Sequence, residues 1–251
     1  MNVSLYQAAA ALTANSQWQD VISENLASSS VSGFRKQSLT TAAVQAGLLP
    51  VSGQNGPGAP KFFSMPKADI SVSFKTGQMD FTGDDKNVGI DGPGFFQVEL
   101  AGGTQAVTRD GEFQINGKGN LVTKEGYLVM DNSGNAIKLD PHNHNSLIIN
   151  ANGQIKQGDQ VKGTIGLTDY ENPELLKQTD GVYFIADDPK LVTKPATGSM
   201  REGFVEAANT TALSEMSDMM TAMRTFEANQ HVIQIQDDRM NKAITELGNP
   251  S

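Results

Sequence analysis

Apolar residues repeat with the period of a helix at both ends of the chain and with the period of a strand between them. Residues 3–27 and 211–247 contain neither proline nor glycine and space their apolar side chains three or four positions apart, which predicts two amphipathic helices. In the middle, Ile70, Val72 and Phe74 alternate with polar residues, as in a half-buried strand. The pattern therefore predicts a mixed α and β protein with a helix at each end and a β-rich centre.

The C-terminal helix carries two neighbouring stripes that repeat every seven residues. One stripe is apolar throughout, whereas the other is polar in its middle. The first consists of Met219, Phe226, Ile233, Met240 and Leu247, and the second of Met216, Met223, Gln230, Asp237 and Ile244. Such a helix is about 55 Å long at 1.5 Å per residue. Because a small β domain cannot cover it, we expect another helix or another subunit to do so.

The N-terminal helix is the predicted partner. It places Leu5, Leu12 and Leu26 at multiples of seven, with Ile22 beside them. Trp18 lies off this stripe and is either an interface anchor or a core residue packed against the other helix. We expect the two helices to pair in a coiled-coil-like manner. The predicted assembly interface consists of Leu5, Leu12, Trp18, Ile22, Leu26, Met219, Met223, Phe226, Ile233, Met240, Ile244 and Leu247.

Short strand patterns fill the middle of the chain and are separated by Asn-Gly, Asp-Gly and Gly-Gly pairs. Among the predicted strands are Phe95–Leu100, Ala136–Leu139 and Gln154–Gln157. Those pairs suit hairpin turns, so we expect an antiparallel meander, sandwich or partly closed barrel. Residues 38–66 are rich in Ala, Gly, Ser, Pro and Gln, which favours a linker or extended loop. The predicted order is an assembly helix at 1–36, a linker at 37–68, a β-rich outer domain at 69–202 and a second assembly helix at 203–251.

The net charge and the cysteine content reduce the number of functional classes to which the chain can belong. The chain has a formal net charge of −9 and no cysteine. An acidic chain without clustered Lys and Arg is not expected to bind nucleic acid, and a lack of cysteine excludes disulfides and thiolate zinc sites. No apolar run approaches the roughly 20 residues that cross a bilayer, and the first residues lack the pattern of a cleaved secretory signal. We therefore expect no membrane span and no cleaved signal peptide.

Candidate catalytic and metal-binding residues are few. Residues 140–144 hold two histidines and one aspartate, a nonspecific spacing with too few ligands for a catalytic metal site, and a polar turn is favoured there. Asp110 and Glu112 are carboxylates of the kind that glycosidases use in pairs, but an acidic β protein contains many such pairs. We therefore expect no catalytic residue, no bound metal and no cofactor.

Six short motifs are spread in order over most of the chain. Around the end of the first helix they are Asn25-Leu26-Ala27 and Gly33-Phe34-Arg35, and in the middle Gly92-Pro93-Gly94-Phe95-Phe96-Gln97-Val98 and Thr108-Arg109-Asp110-Gly111-Glu112-Phe113. Near the other end they are Gly203-Phe204-Val205-Glu206-Ala207-Ala208-Asn209 and Phe226-Glu227-Ala228-Asn229. With these motifs the chain resembles the bacterial flagellar basal-body rod and hook proteins, although Ser28 and Val107 depart from the family's usual residues. The motif residues singled out are Asn25, Leu26, Gly33, Phe34, Gly94, Phe95, Phe96, Arg109, Asp110 and Gly111.

The resemblance implies a structural subunit of the flagellar rod. In that family, paired terminal helices form an inner tube, the β domain lies outside, and copies stack into a periplasmic drive shaft that transmits torque from motor to hook. Members are exported through the flagellar type III apparatus without signal cleavage, and P and L rings surround the rod in Gram-negative bacteria. The expected partners are therefore further copies, other rod proteins and the export apparatus.

Three alternatives stay open. The start of the last helix, Met216-Ser217-Asp218-Met219, and the pair Asp237-Asp238 resemble proximal rod members more than distal ones, but a distal rod or hook-type subunit is an alternative within the family. Two alternatives belong to other functional classes. One is a secreted β-rich enzyme that acts on polysaccharide, with the helices as a dimerisation arm, and the other is an adhesin-like binding module.

Overall fold

The computed structural model describes residues 3–49, 61–140 and 147–248, and their side chains except those at 3–6, 41, 43–49, 61–66, 243–244 and 246–248. Within these ranges lie two α-helices, α1 at Val3–Ala27 and α2 at Ala212–Gly248, and a 3-10 turn at Pro173–Leu175. The strands are β1 Gln37–Leu49, β2 Lys61–Val72, β3 Met79–Phe81, β4 Val88–Asp91, β5 Phe95–Glu99, β6 Gln105–Thr108, β7 Gln114–Ile115, β8 Leu121–Val122, β9 Leu128–Val129, β10 Leu147–Ile149, β11 Gln154–Gln157, β12 Gln160–Thr164, β13 Leu167–Tyr170, β14 Lys177–Asp180, β15 Tyr183–Ile185, β16 Thr193–Pro195, β17 Ser199–Glu202 and β18 Phe204–Glu206. The predicted mixed α and β composition with a β-rich centre is confirmed.

The strands of the described residues form five sheets, and those from β3 onward pair antiparallel, as the turn residues predict. The largest sheet has the order β14-β15-β6-β5-β9-β8-β7, with β13 attached to β5 and β16 to β13. The smaller sheets are β1-β2, β10-β11-β12, β17-β4 and β18-β3. Half of the pairings from β3 onward, such as β5 with β6 and β10 with β11, join sequence neighbours, which is what short connections at Gly-containing turns favour.

The chain divides into two compact units. Unit 1 consists of Met1–Leu26, Gln37–Ser71 and Ala212–Ser251, and unit 2 of Ala27–Lys36 and Val72–Thr211. Unit 1 is therefore assembled from three separated pieces of sequence, while most of unit 2 is one continuous stretch inserted between two of them.

Unit 2 contains two clusters of buried apolar side chains on opposite faces of β5. Phe96 belongs to the larger cluster, where its ring meets Phe113 edge to face at 5.0 Å between centroids. Phe95 belongs to the smaller cluster and packs against Phe74 and Tyr170. Adjacent residues of a strand point to opposite faces, so the Phe95-Phe96 pair supplies an aromatic ring to each cluster.

Unit 1 has a much smaller buried apolar set. Among its described side chains the buried apolar ones are Ala14, Val21, Ile22 and Ala222. The sequence predicts a linker or loop at 37–68, but the structure places β1 and β2 at its two ends. Paired strands satisfy each other's backbone groups whatever the side chains are, so an Ala- and Ser-rich composition does not prevent them. Residues 50–60, at the centre of the predicted linker, lie outside the described residues.

Candidate assembly site

One carboxylate of unit 2 is buried between two guanidinium groups. Glu206 is the last residue of β18, and its side chain is 1% exposed. Its Oε1 lies 2.8 Å from Arg35 Nη2, and its Oε2 lies 3.0 Å from Arg109 Nη1. We call Arg35, Arg109 and Glu206 the junction triad. Its members come from three motifs that are far apart in the sequence, and they meet at one point of the fold.

Backbone carbonyls bind the outer nitrogens of the triad. Arg35 Nη1 donates a 2.6 Å hydrogen bond to the carbonyl of Lys75, and Arg109 Nη2 donates one of 2.8 Å to the carbonyl of Gly92. Buried charges are tolerated only when they are paired and hydrogen-bonded. The triad therefore holds the segments that contain Arg35, Arg109 and Glu206 in one arrangement.

Arg109 has a further contact with an aromatic ring. Its guanidinium carbon lies 5.2 Å from the centroid of Phe95, a distance at which the ring face attracts a cation. Burial lowers the pKa of Arg109 from its ordinary value, and the neighbouring Glu206 acts in the opposite direction. The motif residues Phe95 and Arg109 thus stabilise each other.

Two motif glycines allow backbone segments to come close together at this point. Gly33 has a φ of +72°, its N–H donates to the carbonyl of Glu206 at 2.7 Å, and a Cβ there would lie 2.3 Å from the backbone nitrogen of Asp110. At Gly111 a Cβ would lie 1.8 Å from the carbonyl oxygen of Val88. Any larger residue would push these segments apart. The glycines are needed for the close approach.

Asn209 ties three segments of unit 2 together. Its Nδ2 donates to the carbonyls of Ser73 at 2.7 Å and Lys75 at 3.0 Å, and its Oδ1 accepts from the N–H of Lys36 at 2.6 Å. An asparagine amide has two donor hydrogens and one acceptor oxygen, and here all three functions are used. The segment before α2 is therefore fastened to the segments that end at Lys36 and begin at Val72.

The candidate carboxylate pair also belongs to this region. Asp110 is 2% exposed, its Oδ1 accepts from the N–H of Glu112 at 3.0 Å, and burial raises its pKa to about 7. Glu112 pairs with Lys124 at 2.6 Å and accepts a short hydrogen bond from Ser32. Glu112 therefore joins the segment after α1 to the sheet, and Asp110 has almost no surface from which to reach a substrate.

Two family models match the chain in the segments that form this region. The model described as the flagellar hook protein FlgE/F/G D1 domain matches residues 89–157, and the one described as the flagellar basal body rod FlgEFG protein C-terminal matches residues 201–246. The first match contains Arg109 and Asp110, and the second contains Glu206 and Asn209.

Relatives match over the full length. The flagellar basal-body rod protein FlgF of Mesorhizobium japonicum is 30% identical over 252 residues, which cover 100% of both chains. The chain belongs to the flagellar basal-body rod protein family. FlgF of Caulobacter vibrioides is 28% identical with 91% of each chain covered, and FlgG of Bacillus subtilis is 28% identical with 90% of this chain and 91% of its own covered. The family prediction is confirmed at the level of FlgF and FlgG together.

In this rod protein, the buried side chains of α1 include two asparagines as well as Val21 and Ile22. Ile22 is buried, whereas Leu12, Trp18 and Leu26 are only partly buried, and their place in an assembly interface stays a prediction. The side chain of Leu5 lies outside the described residues. Two buried asparagines were not predicted from the apolar pattern as contacts: Asn15 donates to the carbonyl of Ala222 at 3.2 Å, and Asn25 Nδ2 donates to Gln37 at 2.8 Å and to Glu215 Oε2 at 3.4 Å.

The predicted apolar stripe of α2 is partly covered within the chain. Met219, Phe226 and Ile233 are partly buried, and Met240 is 37% exposed. The side chains of Ile244 and Leu247 lie outside the described residues. Beside this stripe, Glu215 and Ala222 are fully buried. The two residues lie seven positions apart. Because Glu215 is charged and Ala222 is small, the spacing of large apolar side chains does not indicate them.

The second predicted stripe of α2 is exposed. Met216 and Met223 keep 54% and 53% of their surfaces accessible, and Gln230 and Asp237 are exposed as well. The polar middle of this stripe is thus in contact with solvent in the single chain, where polar side chains are hydrated.

The described residues hold no group of three or more His, Asp or Glu side chains placed to share one metal ion. His142 and His144 lie outside them. Neither described helix is both long and apolar enough to cross a bilayer.

Proposed function

We propose that this protein is a structural subunit of the flagellar basal-body rod, and that its copies polymerise through paired terminal helices into the periplasmic shaft that transmits torque from motor to hook. The full-length match to FlgF of Mesorhizobium japonicum supports a place in the proximal rod. The alternative within the family is a distal rod or hook-type subunit, since FlgG of Bacillus subtilis also matches most of the chain.

The observation that carries the proposal is the exposed apolar surface of α2 in a member of a rod family. Isolated soluble domains rarely leave many large apolar side chains accessible on one element, and such surfaces mark interaction sites. The exposed large apolar residues of α2 are Leu213, Met216, Met220, Met223, Val232, Ile235 and Met240.

Pairing of the two helices is supported by polar contacts in unit 1. Asn15 bonds to the backbone of α2 at Ala222, and Asn25 reaches Glu215 in the first turn of α2. A polar residue inside a helix pair fixes the register at some loss of stability. We infer that these asparagines set how far along α2 the helix α1 is placed.

Unit 2 is proposed as the outer, load-bearing part. Its buried triad and its two apolar clusters give it a single packed arrangement, as torque transmission requires. The functional segments remain those proposed from the sequence, with assembly helices at 1–36 and 203–251 and the β-rich outer domain at 69–202. Partners would be other rod proteins, the type III export apparatus and the surrounding P and L rings.

We also infer that the protein is not an enzyme, because its family is structural and because Asp110 and Glu112 are engaged within the fold. Asp110 bonds to the backbone of Glu112, whose carboxylate pairs with Lys124. A catalytic acid must reach the proton that it transfers, and Asp110 is 2% exposed.

Substitution Ile233→Asp tests the role of α2. A charge in an apolar interface leaves an unpaired, desolvated group, so we expect the variant to be absent from purified basal bodies and the cells to be non-motile. The isolated variant should keep the wild-type urea midpoint of its β structure.

The matched control is Val161→Asp, the same kind of change at a 53% exposed position of unit 2. It should be incorporated normally. If Ile233→Asp is found in basal bodies at the wild-type level, α2 does not carry assembly at this position.

A further inference from the structure

Three turns of unit 2 have the same backbone construction. They span residues 116–120, 131–135 and 150–154. In each turn the N–H of the first residue donates to the carbonyl of the fifth, at 3.0, 2.8 and 3.0 Å, and the N–H of the fourth donates to the carbonyl of the first, at 2.9, 3.1 and 2.8 Å. The fourth residue is a glycine, whose φ is +80°, +78° and +80° respectively. Because the three backbones match, differences in their chemistry come from the residues at the other positions.

The turn at 116–120 begins with an Asn-Gly pair, and backbone groups surround the side-chain oxygen of its asparagine. Asn116 Oδ1 accepts hydrogen bonds from the N–H groups of Lys118 at 3.0 Å and Asn120 at 2.9 Å. Two backbone N–H groups aimed at one carbonyl oxygen stabilise the negative charge that develops there when a nucleophile attacks the carbonyl carbon. The turn therefore provides Asn116 with an oxyanion hole made of its own backbone.

The nucleophile for such an attack is the next backbone nitrogen, that of Gly117. Its N–H donates no hydrogen bond among the described residues, and a Cβ at Gly117 would meet no atom within 4 Å. A hydrogen bond from an N–H stabilises the protonated form and opposes loss of the proton, so this nitrogen is easier to deprotonate than one that is bonded. Its attack on Cγ of Asn116 closes a five-membered ring, and the space around Gly117 leaves room for that ring.

The other Asn-Gly pair among the described residues lies at a different place in the same kind of turn. Asn152 and Gly153 are the third and fourth residues of the turn at 150–154, and the N–H of Gly153 donates to the carbonyl of Asn150 at 2.8 Å. Asn152 Oδ1 accepts from the N–H of Gln154 at 3.1 Å. Here the nucleophile is hydrogen-bonded and the oxygen has one donor instead of two. The chain thus contains a matched comparison for Asn116.

We propose that Asn116 is a site of deamidation that its own turn promotes. The nitrogen of Gly117 loses its proton to hydroxide and forms a bond to Cγ of Asn116, the Cγ–Nδ2 bond breaks, and ammonia leaves after taking a proton from water. Water then adds to either carbonyl of the succinimide ring and opens it, which gives aspartate or isoaspartate at this position. The overall reaction consumes one water molecule and releases one ammonia.

The turn at 131–135 already contains an aspartate at the corresponding position. Asp131 Oδ1 accepts from the N–H groups of Ser133 and Asn135, both at 2.8 Å, as Asn116 Oδ1 accepts from the third and fifth residues of its own turn. An aspartate at position 116 therefore fits the turn, and the aspartate product leaves unit 2 unchanged.

The isoaspartate product alters the edge of the largest sheet. The turn at 116–120 connects β7 to β8, where Ile115 pairs with Leu121 directly beside it, and β7 is the last strand in the order of that sheet. Isoaspartate adds one carbon to the main chain and moves the carboxylate away from the two backbone donors. The pairing of β7 with β8 is therefore weakened in that product.

Mass spectrometry of the purified full-length protein tests the site. The protein is kept at mildly alkaline pH, once folded and once in urea, and the conversion of amide to acid at each Asn-Gly pair is followed over time in its proteolytic peptides. In the folded protein Asn116 should convert about 10 times faster than Asn152, a fraction of the roughly 100-fold effect that one oxyanion donor has in an enzyme site. In urea, where neither turn is formed, the two rates should become equal.

Gly117→Ala is the matched variant. Gly117 does not have a positive φ, and its Cβ position is open, so alanine fits the turn while its methyl group hinders the approach of the nitrogen to Cγ. Conversion of Asn116 should fall to the rate of Asn152 or below, and the rate at Asn152 should not change. Asn116→Asp should keep the wild-type urea midpoint.

The wild-type rates alone decide the proposal, whether or not Gly117→Ala folds. Support requires that folded Asn116 converts faster than folded Asn152 and at least as fast as Asn116 in urea. If folding slows Asn116, the turn protects the amide and the proposal is overturned. Equal rates at Asn116 and Asn152 in the folded chain overturn it as well. These rates are measured on the isolated chain, so the result does not depend on the proposed function.

Discussion

The two units of this rod protein use polar and apolar side chains in opposite ways. Unit 2 buries Arg35, Arg109 and Glu206 completely or almost so and pairs them. Unit 1 leaves Leu213 and Met220 more than half exposed. In a single soluble chain the reverse distribution would be expected, with charges outside and large apolar residues inside.

The packing of unit 2 is completed within one chain, whereas that of unit 1 is completed by contacts between chains. Unit 2 has its own core and pairs the buried charges of Arg35, Arg109 and Glu206 with one another. The long helix of unit 1 lacks enough apolar cover in its own chain, and such a helix gains most of its stability from packing. Assembly thus gives unit 1 the apolar packing that unit 2 already has in the single chain.

The strongest test of this comparison is Glu206→Gln. The substitution leaves Arg35 and Arg109 buried without a counter-charge, and breaking a buried ion pair in this way destabilises a protein by about 3–5 kcal/mol. We expect that loss in the free energy of unfolding of unit 2, measured by urea titration. Glu174→Gln, at an exposed position, should change it by less than about 0.5 kcal/mol. Equal effects of both changes would refute a structural role for the triad.

A matched pair of leucine truncations compares the units directly. Leu121→Ala removes a side chain that is 0% exposed in unit 2, and Leu213→Ala one that is 78% exposed in unit 1. The first should lower the free energy of unfolding by about 2–5 kcal/mol, and the second by less than about 0.5 kcal/mol. Thermal and urea unfolding of the isolated chain would measure both. A large effect of Leu213→Ala in the isolated chain would mean that this side chain is already packed there.

The smallest expected effect concerns pH. Asp110 has a pKa of about 7 in the folded chain against an ordinary value of 3.8, so between these values the native state binds the extra proton. The contribution of Asp110 to stability is then full at low pH and decreases as pH rises toward 7, by roughly 2 kcal/mol between pH 5 and 7. Asp110→Asn should remove this slope, whereas Asp159→Asn, at an exposed turn, should keep it. Parallel stability curves for wild type and Asp110→Asn would show that Asp110 is ionised in the fold.

The helices and the class of fold could be predicted from local patterns. The sequence predicts helices at about 3–27 and 211–247, and the structure has them at Val3–Ala27 and Ala212–Gly248. Proline-free amphipathic stretches carry this information within themselves. The strand pattern predicts Phe95–Leu100 and Gln154–Gln157 closely for the same reason, since the structure has Phe95–Glu99 and Gln154–Gln157.

Other strands depend on distant partners and were not predicted. β17 at Ser199–Glu202 pairs with β4 at Val88–Asp91, and β18 at Phe204–Glu206 pairs with β3 at Met79–Phe81. Residues such as Glu, Asp and Gly within them have little intrinsic strand preference. Conversely, the strand predicted at Ala136–Leu139 forms only isolated bridges in the described structure. Whether these segments form strands depends on long-range pairing, which no local pattern encodes.

The residues around the junction triad could be predicted only in part. Their motifs are recognisable in the sequence, but the contacts between those motifs are not. Gly33, Arg109 and Asp110 were singled out from the motifs, whereas the partnership of Glu206 with both arginines and the role of Asn209 emerge only from the fold. On α1, the leucine spacing predicts Leu5 and Leu12 as interface residues. The apolar pattern of α1 does not mark Asn15 and Asn25, because both buried residues are polar.

The composition of unit 1 from separated pieces has a consequence during synthesis. A chain made from its N-terminus exposes α1 about 185 residues before α2, a delay of roughly 10–40 s at 5–20 residues per second. Throughout that interval the first helix lacks its contacts with Glu215 and Ala222 of α2. Any surface to which both helices contribute is therefore incomplete until translation is nearly finished.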